Sequence, residues 1–391
     1  MKKKPNRKKK NKGTKREHHT ILESYTGKQN IKLSVNKDEK KEDKKEEQIH
    51  ISKYSDNSKK KEEKEKPKEI KIIKPEVDYI PYSCIPELEE IDKSYHIEAI
   101  QKQIKANERK IPLHKKAQNL DDDENRLMYE YDIFNQIEDS KFYQDIFEYG
   151  FEELDRYSDI KPYKYNKIVI NTKNKYINAS PINIQGKKNL FISTQGPKPE
   201  TIEDFWTMVE DYDSNVIVML CKLMEGGRIK CENYWEAKIK KYEIKIMKID
   251  KGNMYEIREL KLKNNSTKKE KIVYQIHFLG WPDHGIPDTS KGTVFEVFNS
   301  MIKKVDELNK GEKPIIVHCS AGVGRTGTFV SIYLLEKDIM KQINDKKKEI
   351  RINVFNLVRK IKEMRIYMVQ TPIQYKFVYL YVRYLLEKNN I

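Results

Sequence analysis

The sequence predicts an α/β fold, with residues 127–388 as a single domain in which central strands are surrounded by helices. Three observations support this fold class. Val216 to Leu220 and Ile315 to Val317 are short, apolar and β-branched, as is typical of buried strands. Tyr242 to Leu279 holds three segments in which apolar and polar residues alternate. After Asp288, apolar residues recur at helical spacing.

The first half of the domain is predicted to begin with helices and continue with short strands. Aromatic and aliphatic residues recur at helical spacing from Met128 to Glu153, which predicts helices that pack on a core. Strand-like runs follow at Lys167 to Ile170, Tyr176 to Asn178 and Leu190 to Thr194. Glu200 to Glu210 again has the spacing of an amphipathic helix.

The second half contains the alternating strands and the C-terminal helices. Three strands are predicted, at Tyr242 to Ile249, Tyr255 to Leu262 and Lys271 to Leu279, the last two joined by a turn at Asn264. A helix is predicted from Thr326 onward, and the rest of the chain is predicted to be helical.

The N-terminal third differs from the domain in composition. Residues 1–74 hold 26 Lys and Arg against 13 Asp and Glu, with few aromatics and little apolar periodicity. Such a segment cannot bury enough apolar surface to offset its chain entropy, so the sequence predicts a disordered, basic tail. Residues 75–126 are predicted to be a linker with a candidate helix from Leu88 to Arg109.

The positive charge of the chain belongs mostly to this tail and is not a nucleic-acid footprint on the folded domain. The Lys2 to Arg16 cluster is compatible with a nuclear import signal, with binding of an acidic partner such as acidic lipid or nucleic acid, or with a merely solvated segment. The sequence shows no signal peptide and no apolar run near the ~20 residues of a membrane span. We therefore expect a cytoplasmic protein, with the nucleus as the alternative.

The cysteines indicate a reducing environment. The chain contains Cys84, Cys221, Cys231 and Cys319, and no two of them have metal-ligand spacing. A reduced compartment suits a catalytic thiol. We predict neither a metal nor a cofactor.

The loop from Pro314 to Thr328 is the stretch around which the domain is organised. This stretch begins with the predicted buried strand Ile315 to Val317, continues as a loop rich in glycine and small residues, and enters a helix at Thr326. Such a loop presents backbone N–H groups and the positive end of the helix dipole to an oxyanion such as phosphate. Cys319 begins the loop and Arg325 ends it. The same donors and a nearby Arg favour the nucleophilic thiolate form of a cysteine, and an Arg can grip two phosphate oxygens.

The run from His318 to Gly327, His-Cys-Ser-Ala-Gly-Val-Gly-Arg-Thr-Gly, resembles the signature loop of the cysteine-dependent protein tyrosine phosphatases. The resemblance implies a non-receptor-type, phosphotyrosine-specific domain with a central, highly twisted mixed β-sheet flanked by helices. It makes Cys319 the nucleophile and Arg325 the phosphate ligand, while Thr326 donates its hydroxyl to the cysteine sulfur. His318 supports the nucleophile. The loop residues that bind substrate are Ser320, Ala321, Gly322, Val323 and Gly324.

The segment Trp-Pro-Asp-His-Gly-Ile-Pro, from Trp281 to Pro287, resembles the mobile acid loop of the same family. The resemblance makes Asp283 the general acid that protonates the leaving tyrosyl oxygen, with Trp281 in support. General acid catalysis typically contributes ~10²–10⁴-fold. Pro-Asp-x-Gly alone is an ordinary turn sequence, and the Trp prefix favours the catalytic role. Gly280 departs from the usual family residue.

The segment from Arg156 to Asp159 resembles the substrate-recognition loop of the family. The resemblance implies that Tyr157 stacks on the phosphotyrosine ring and that Asp159 accepts hydrogen bonds from the peptide backbone. The pocket would then be deep enough to exclude phosphoserine. Leu154 and Asp155 depart from the Lys-Asn pair of the family.

Two further segments match the family. In the first segment, the resemblance implies that Glu225 pairs with Arg325 and that Lys230 approaches the general acid. In the second segment, Gln370 places the attacking water, and Gln374 is a secondary candidate for that role.

The expected reaction has two steps. Cys319 attacks phosphorus while Asp283 protonates the leaving oxygen, and Asp283 then activates a water held by Gln370. The expected partners are phosphotyrosine-containing proteins. The alternatives are a dual-specificity or lipid phosphatase, which Tyr157 disfavours, and a silent phosphotyrosine-binding module, which the presence of Cys319, Asp283 and Arg325 disfavours. Nucleic-acid binding would depend on the tail alone.

Overall fold

The computed structural model describes residues 109–112, 124–138, 147–184, 190–282, 285–290, 293–310 and 313–391. The predicted tail, residues 1–74, lies outside the described residues. So does the candidate helix from Leu88, except for Arg109, which begins a strand.

A mixed sheet of seven strands forms the centre of the described part of the chain, which confirms the predicted α/β class. Its strands lie side by side in the order β2 (Ala179–Ile182), β3 (Phe191–Thr194), β10 (Ile315–His318), β4 (Val216–Met219), β9 (Glu270–Phe278), β8 (Tyr255–Asn264) and β7 (Tyr242–Lys251). The parallel middle consists of β3 (Phe191–Thr194), β10 (Ile315–His318), β4 (Val216–Met219) and β9 (Glu270–Phe278). Every residue of β3, β10 and β4 is buried, as the apolar runs Ile315 to Val317 in β10 and Val216 to Leu220 at β4 predicted for two of the three.

The two ends of this sheet are antiparallel. β2 (Ala179–Ile182) pairs with β3 at one end. At the other end, β8 (Tyr255–Asn264) pairs with both β9 and β7 (Tyr242–Lys251). The predicted turn at Asn264 is present: its side-chain oxygen accepts hydrogen bonds from the backbone N–H groups of Ser266 and Thr267. Three strands predicted by alternation thus form an extended antiparallel sheet.

Six α-helices in the described residues surround the sheet. The longest, α4 (Gly324–Asn344), starts directly beyond β10 and is buried along most of its length. The others are α1 (Glu124–Glu138), α2 (Ile202–Asp211), α3 (Thr293–Leu308), α5 (Val354–Lys362) and α6 (Pro372–Lys388). In the described part of the chain, none of these helices has the length and apolar character needed to cross a membrane.

Two predictions about the first half of the domain are wrong. The segments Lys167 to Ile170 and Tyr176 to Asn178 form no strands; between them the chain makes tight backbone turns, in which Lys175 has a φ of 52°. A ladder cannot continue through such turns. Phe147 to Glu153 is not helical either: Phe147 forms an antiparallel bridge with Tyr163, and a tight turn follows, in which the Phe151 carbonyl accepts from the N–H of Leu154.

A second, small sheet joins distant parts of the chain. β1 (Arg109–Pro112), within the predicted linker, pairs antiparallel with β11 (Glu349–Ile352), in a stretch predicted to be helical. Helix α1 begins at Glu124, close to the predicted start of the domain at residue 127, and that domain boundary stays a prediction. A third sheet contains β5 (Met224–Glu225) and β6 (Arg228–Ile229).

Candidate active site

The loop between β10 and α4 places Cys319 at the carboxyl end of the central strand. Cys319 is buried, and its Sγ accepts a hydrogen bond from the backbone N–H of Gly322 at 3.3 Å. Helix α4 begins at Gly324, so the backbone N–H groups of its first turn face the same region. A cysteine and a set of amide donors therefore share one cradle.

Gly322 has the tightest surroundings in this loop. Its φ is +73°, a conformation that strongly favours glycine, and a Cβ added here would lie 2.0 Å from the carbonyl oxygen of Thr194 on β3. The N–H of Gly196 also donates to the carbonyl of Ser320, at 2.8 Å. The loop therefore packs directly on the end of β3.

Arg365, which the sequence analysis missed, holds the cradle from beneath. It is fully buried, and it donates to the carbonyls of Gly322 at 2.9 Å and Ala321 at 3.0 Å. It also donates to Asn178 Oδ1 at 2.7 Å and to Ser180 Oγ at 3.3 Å. Burial lowers the pKa of the Arg365 guanidinium to about 10. Because it binds these carbonyl oxygens outside the pocket, the N–H groups of the loop remain available to an anion.

Arg325 is oriented by a carboxylate, as predicted. Its NH1 and NH2 donate to Glu225 Oε1 and Oε2 at 2.6 and 2.8 Å, a two-bond grip that fixes the plane of the guanidinium. Burial opposes the charged form, but the Glu225 hydrogen bonds and the proximity of Cys319 outweigh it and raise the pKa of Arg325. Arg325 is therefore a permanent cation at the pocket.

The acid loop touches this guanidinium. Arg325 NH2 donates to the carbonyl of Pro282 at 3.2 Å, and the buried Trp281 donates from Nε1 to the carbonyl of Gly285 at 3.1 Å. Gly285 lines the pocket. Asp283 and His284 lie outside the described residues, so the general acid role of Asp283 stays a prediction.

The predicted recognition residues form one wall. The Tyr157 hydroxyl lies 2.8 Å from Ser320 Oγ, which donates to the carbonyl of Lys230 at 2.9 Å. Because that serine proton is already used, the tyrosine donates to the serine. Asp159 and Lys230 line the same pocket.

Asp155, a departure from the family pattern, is a buried acceptor for three side chains. Its carboxylate accepts from Tyr176 at 2.5 Å, from Asn178 at 2.8 Å and from Lys161 at 3.0 Å. All three partners are hydrogen-bond donors, so an aspartate at this position still anchors the recognition loop.

The opposite wall carries the two glutamines. Gln370 and Gln374 both line the pocket, and the Gln370 backbone N–H donates to Gln374 Oε1 at 3.0 Å. Within the described residues, the Thr326 hydroxyl oxygen is buried and makes no hydrogen bond, so the expected bond to the Cys319 sulfur is absent from this structure. The role of Thr326 in the departure of the thiolate stays a prediction.

His318 lies behind Cys319 and is fully buried. Its Nε2 is 2.9 Å from the Tyr234 hydroxyl, and its Nδ1 is 3.1 Å from the carbonyl oxygen of Cys319. Burial lowers the pKa of His318 to about 3, so the imidazole is neutral at physiological pH.

These elements enclose a pocket of about 340 Å³. Eleven predicted site residues line it: Tyr157, Asp159, Glu225, Lys230, Cys319, Ser320, Ala321, Gly324, Arg325, Gln370 and Gln374. Gly322, Val323, Thr326, His318 and Trp281 support it from outside the lining. Thr371 and Ile160 also line it and were missed. In the described residues, no cluster of His, Cys, Asp or Glu is arranged to hold a metal ion.

The fold and the pocket define a domain in which a cysteine, the backbone N–H groups of one loop and a fixed guanidinium lie together, an arrangement suited to a tetrahedral oxyanion. The chain belongs to the protein-tyrosine phosphatase family, whose model matches residues 152–384. The family predicted from the motifs is thereby confirmed.

Comparison with known proteins agrees. The chain is 35% identical over 249 residues to rat tyrosine-protein phosphatase non-receptor type 20, which covers 60% of this chain and 56% of the relative. Identity to the human type 20 protein is 37% over 237 residues, or 58% of this chain and 53% of the relative. The match thus spans about half the length of these relatives.

Solved structures show the same fold. The catalytic domain of human protein tyrosine phosphatase non-receptor type 18 superposes with a TM-score of 0.59 at 27% identity, over 67% of this chain and 96% of that domain. A second structure of that phosphatase, in complex with HER2 phosphopeptides, has the same TM-score and identity, over 66% of this chain and 92% of that one.

Proposed function

We propose that the protein hydrolyses phosphotyrosine in proteins through a cysteinyl-phosphate intermediate. One observation carries the proposal: Cys319 lies in a pocket that also contains Arg325 and has Tyr157 in its wall. The nucleophile, the phosphate ligand and an aromatic surface for the tyrosyl ring thus share one pocket. The family membership and the phosphopeptide complex of the type 18 relative support the same substrate class.

In the first step, the Cys319 sulfur attacks phosphorus and the bond to the tyrosyl oxygen breaks. The loop N–H groups and Arg325 stabilise the charge on the three equatorial oxygens, which is the main catalytic resource in phosphoryl transfer. Asp283 protonates the leaving oxygen. Residues 283 and 284 lie outside the described residues, but their two neighbours support this role. Pro282 accepts a hydrogen bond from Arg325 through its carbonyl, and Gly285 lines the pocket.

In the second step, a water attacks the cysteinyl phosphate, and the thiolate leaves as inorganic phosphate forms. Gln370 and Gln374 line the pocket where they are available to orient that water, and Asp283 takes its proton. Thr326 would stabilise the departing thiolate through its hydroxyl. No step requires a metal ion.

The decisive experiment measures hydrolysis of matched phosphotyrosine, phosphoserine and phosphoinositide substrates by the wild type and by Cys319→Ser. We expect hydrolysis of phosphotyrosine only, and loss of that activity in the variant. Equal turnover of phosphoserine or phosphoinositide would replace the proposal with a dual-specificity or lipid phosphatase. Full activity of Cys319→Ser would exclude the covalent mechanism.

The partners are best identified with Asp283→Ala, which should retain bound substrate. Capture of phosphotyrosine proteins that vanadate competes away is expected. The double variant Asp283→Ala/Arg325→Met is the matched control, because it removes the phosphate ligand. Equal capture by the control would show that retention does not involve the pocket.

We propose a cytoplasmic location. Import into the nucleus through Lys2 to Arg16, and binding of an acidic partner by the same cluster, are extensions of this proposal. Deleting residues 1–20 of a tagged protein tests both. An unchanged distribution and unchanged retention on an anionic matrix would reject them.

A further inference from the structure

A chain of buried hydrogen bonds runs from β8 and β9 to the peptide group of Cys319. Arg258 NH1 donates to Gln275 Oε1 at 2.9 Å, and Gln275 Nε2 lies 2.6 Å from the Tyr234 hydroxyl. That hydroxyl is the group 2.9 Å from His318 Nε2. Gln275, Tyr234 and His318 are each fully buried. None of the three depends on solvent for its hydrogen bonds.

The direction of each bond follows from Arg258. A guanidinium can only donate, so the Gln275 atom that faces it is the amide oxygen. The Gln275 amide nitrogen therefore faces Tyr234, and it also lies 3.6 Å from the Met219 sulfur, a weak acceptor. The glutamine donates to the tyrosine, whose hydroxyl oxygen accepts.

The proton on His318 is thereby assigned. The Tyr234 hydroxyl, having accepted from Gln275, has its one proton to give; the Met219 sulfur at 4.0 Å is a weak alternative acceptor. It donates to His318 Nε2, which must be unprotonated. The imidazole proton then lies on Nδ1 and is donated to the Cys319 carbonyl, a group that can only accept.

The last of these hydrogen bonds, from His318 to the Cys319 carbonyl, affects the geometry of the cradle. In a planar trans peptide, the carbonyl and the following N–H point in opposite directions. Holding the Cys319 carbonyl on the His318 side therefore directs the N–H of Ser320, a pocket-lining residue, to the opposite side. A rotated peptide would present a carbonyl oxygen to a bound anion.

We propose that Arg258 and Gln275 are positioning residues that fix His318 in the Nδ1–H tautomer and so hold the Cys319–Ser320 peptide in its anion-binding orientation. This inference builds on the proposed function, because it concerns the same cradle. In physical terms, the direction of each hydrogen bond in the series sets the direction of the next, and the series starts more than one strand away from the nucleophile.

Other groups around the chain are compatible with this role. Arg258 is held by Glu256 and lies 4.5 Å above the Trp235 ring. His277, on the same strand as Gln275, lies 3.4 Å from Arg258 NH1 and 2.8 Å from the Cys221 carbonyl. Arg156 and His277 both disfavour a positive charge on His318. His318 is thus kept neutral from several sides.

The test is the isosteric substitution Gln275→Glu. Its two carboxylate oxygens would accept from both Arg258 and Tyr234, so the tyrosine would turn its proton away from His318. Histidine Nε2 would then carry the proton, and Nδ1 would lose its bond to the Cys319 carbonyl. Gln275→Leu is the matched control, because it removes both side-chain hydrogen bonds without reversing any.

Two measurements are made on each full-length protein. The ¹⁵N NMR spectrum of labelled histidine distinguishes protonated from unprotonated ring nitrogens, and kcat/KM is measured on a phosphotyrosine substrate. We expect Nδ1–H for His318 in the wild type and Nε2–H in Gln275→Glu. In Gln275→Leu nothing fixes the direction of the Tyr234 proton, so a mixture of the two tautomers is expected. The kcat/KM of Gln275→Glu should fall by about 10-fold, as for the loss of one buried hydrogen bond, and by more than that of Gln275→Leu.

The outcomes separate the two proposals. Nε2–H in the wild type, or an unchanged tautomer in Gln275→Glu, would overturn the inference whatever the enzyme hydrolyses. A wild type inactive on phosphotyrosine but with the expected tautomers would reject only the proposed function. If Gln275→Glu does not fold, Arg258→Met provides the second test: the Gln275 amide is then free to turn, and a mixture of His318 tautomers is expected. A single Nδ1–H form in that variant would contradict the relay.

Discussion

Replacing Glu225 with Gln tests how far the activity depends on the orientation of Arg325. The carboxylate holds both terminal nitrogens of the guanidinium at 2.6 and 2.8 Å and also accepts from the backbone N–H of Lys222 at 2.9 Å. Glutamine keeps the shape but turns one acceptor into an NH₂ group that faces another donor. One charge-assisted hydrogen bond is lost, a cost of about 2 kcal/mol, which corresponds to roughly 30-fold in kcat/KM.

The assay is kcat/KM on p-nitrophenyl phosphate, with far-UV circular dichroism to show that the variant is folded. Glu349→Gln is the matched control, since Glu349 forms an exposed ion pair with Arg351 at 2.8 Å on β11, outside the pocket lining. We expect the control to keep wild-type activity, because exposed ion pairs contribute little. A loss below 3-fold in Glu225→Gln, or an equal loss in the control, would refute the assigned role of the ion pair.

Three further predictions follow from the same geometry. Gly322→Ala should lower kcat/KM by about 100-fold, because the new Cβ meets the Thr194 carbonyl and displaces the cradle. Gly150→Ala is the control, since Gly150 also has a positive φ, +92°, but a Cβ added there has no atom within 4 Å. Similar losses of kcat/KM in both variants would point to backbone strain alone. Tyr157→Phe keeps the aromatic ring and loses only the hydrogen bond to Ser320, so kcat/KM should fall by less than about 10-fold. Tyr157→Ala also removes the ring, so its kcat/KM should fall far more. Equal losses of kcat/KM in the two variants would contradict the stacking role of Tyr157. Burial lowers the pKa of His277 to about 4, so below pH 6.5 the unfolded chain binds a proton that the folded chain does not. The free energy of unfolding should fall by about 2 kcal/mol from this group between pH 7 and pH 5, and urea titrations at the two pH values should show a smaller fall for His277→Gln; an undiminished fall would contradict the assignment.

The sequence predicted the regular elements best where their own periodicity dominates. Val216–Met219 is continuously apolar and fully buried, and burial alternates along most of β8 as expected, whereas the last four residues of β9 are all buried. It failed at Lys167 to Ile170, where Ile168 and Ile170 alternate in burial along a chain that turns before it can form a ladder. Alternation reports which side chains are buried, and it does not report a hydrogen-bonding partner.

The site residues likewise divide into those that the sequence predicted and those that it could not predict. Motif residues such as Tyr157, Arg325 and Gln370, scattered along the chain, are brought to one pocket. Arg365 was missed because its function is to bind carbonyls of the loop at Gly322 and Ala321, and a backbone acceptor leaves no trace in the side-chain pattern. The orientation of Gln275 could not be predicted either, since it depends on Arg258 from a neighbouring strand.

The pairing of β1 with β11 has a consequence for how the domain is completed during synthesis. Arg109 lies opposite Ile352, so this small sheet cannot form until residue 352 has left the ribosome. Closing so long a loop carries a large entropic cost before any contact repays it, which makes such pairings late events in folding. β11 leads directly into α5, and α5 leads to the turn that carries Arg365. The N-terminal strand therefore belongs to the last part of the fold to assemble, together with the residues that brace the cradle from below.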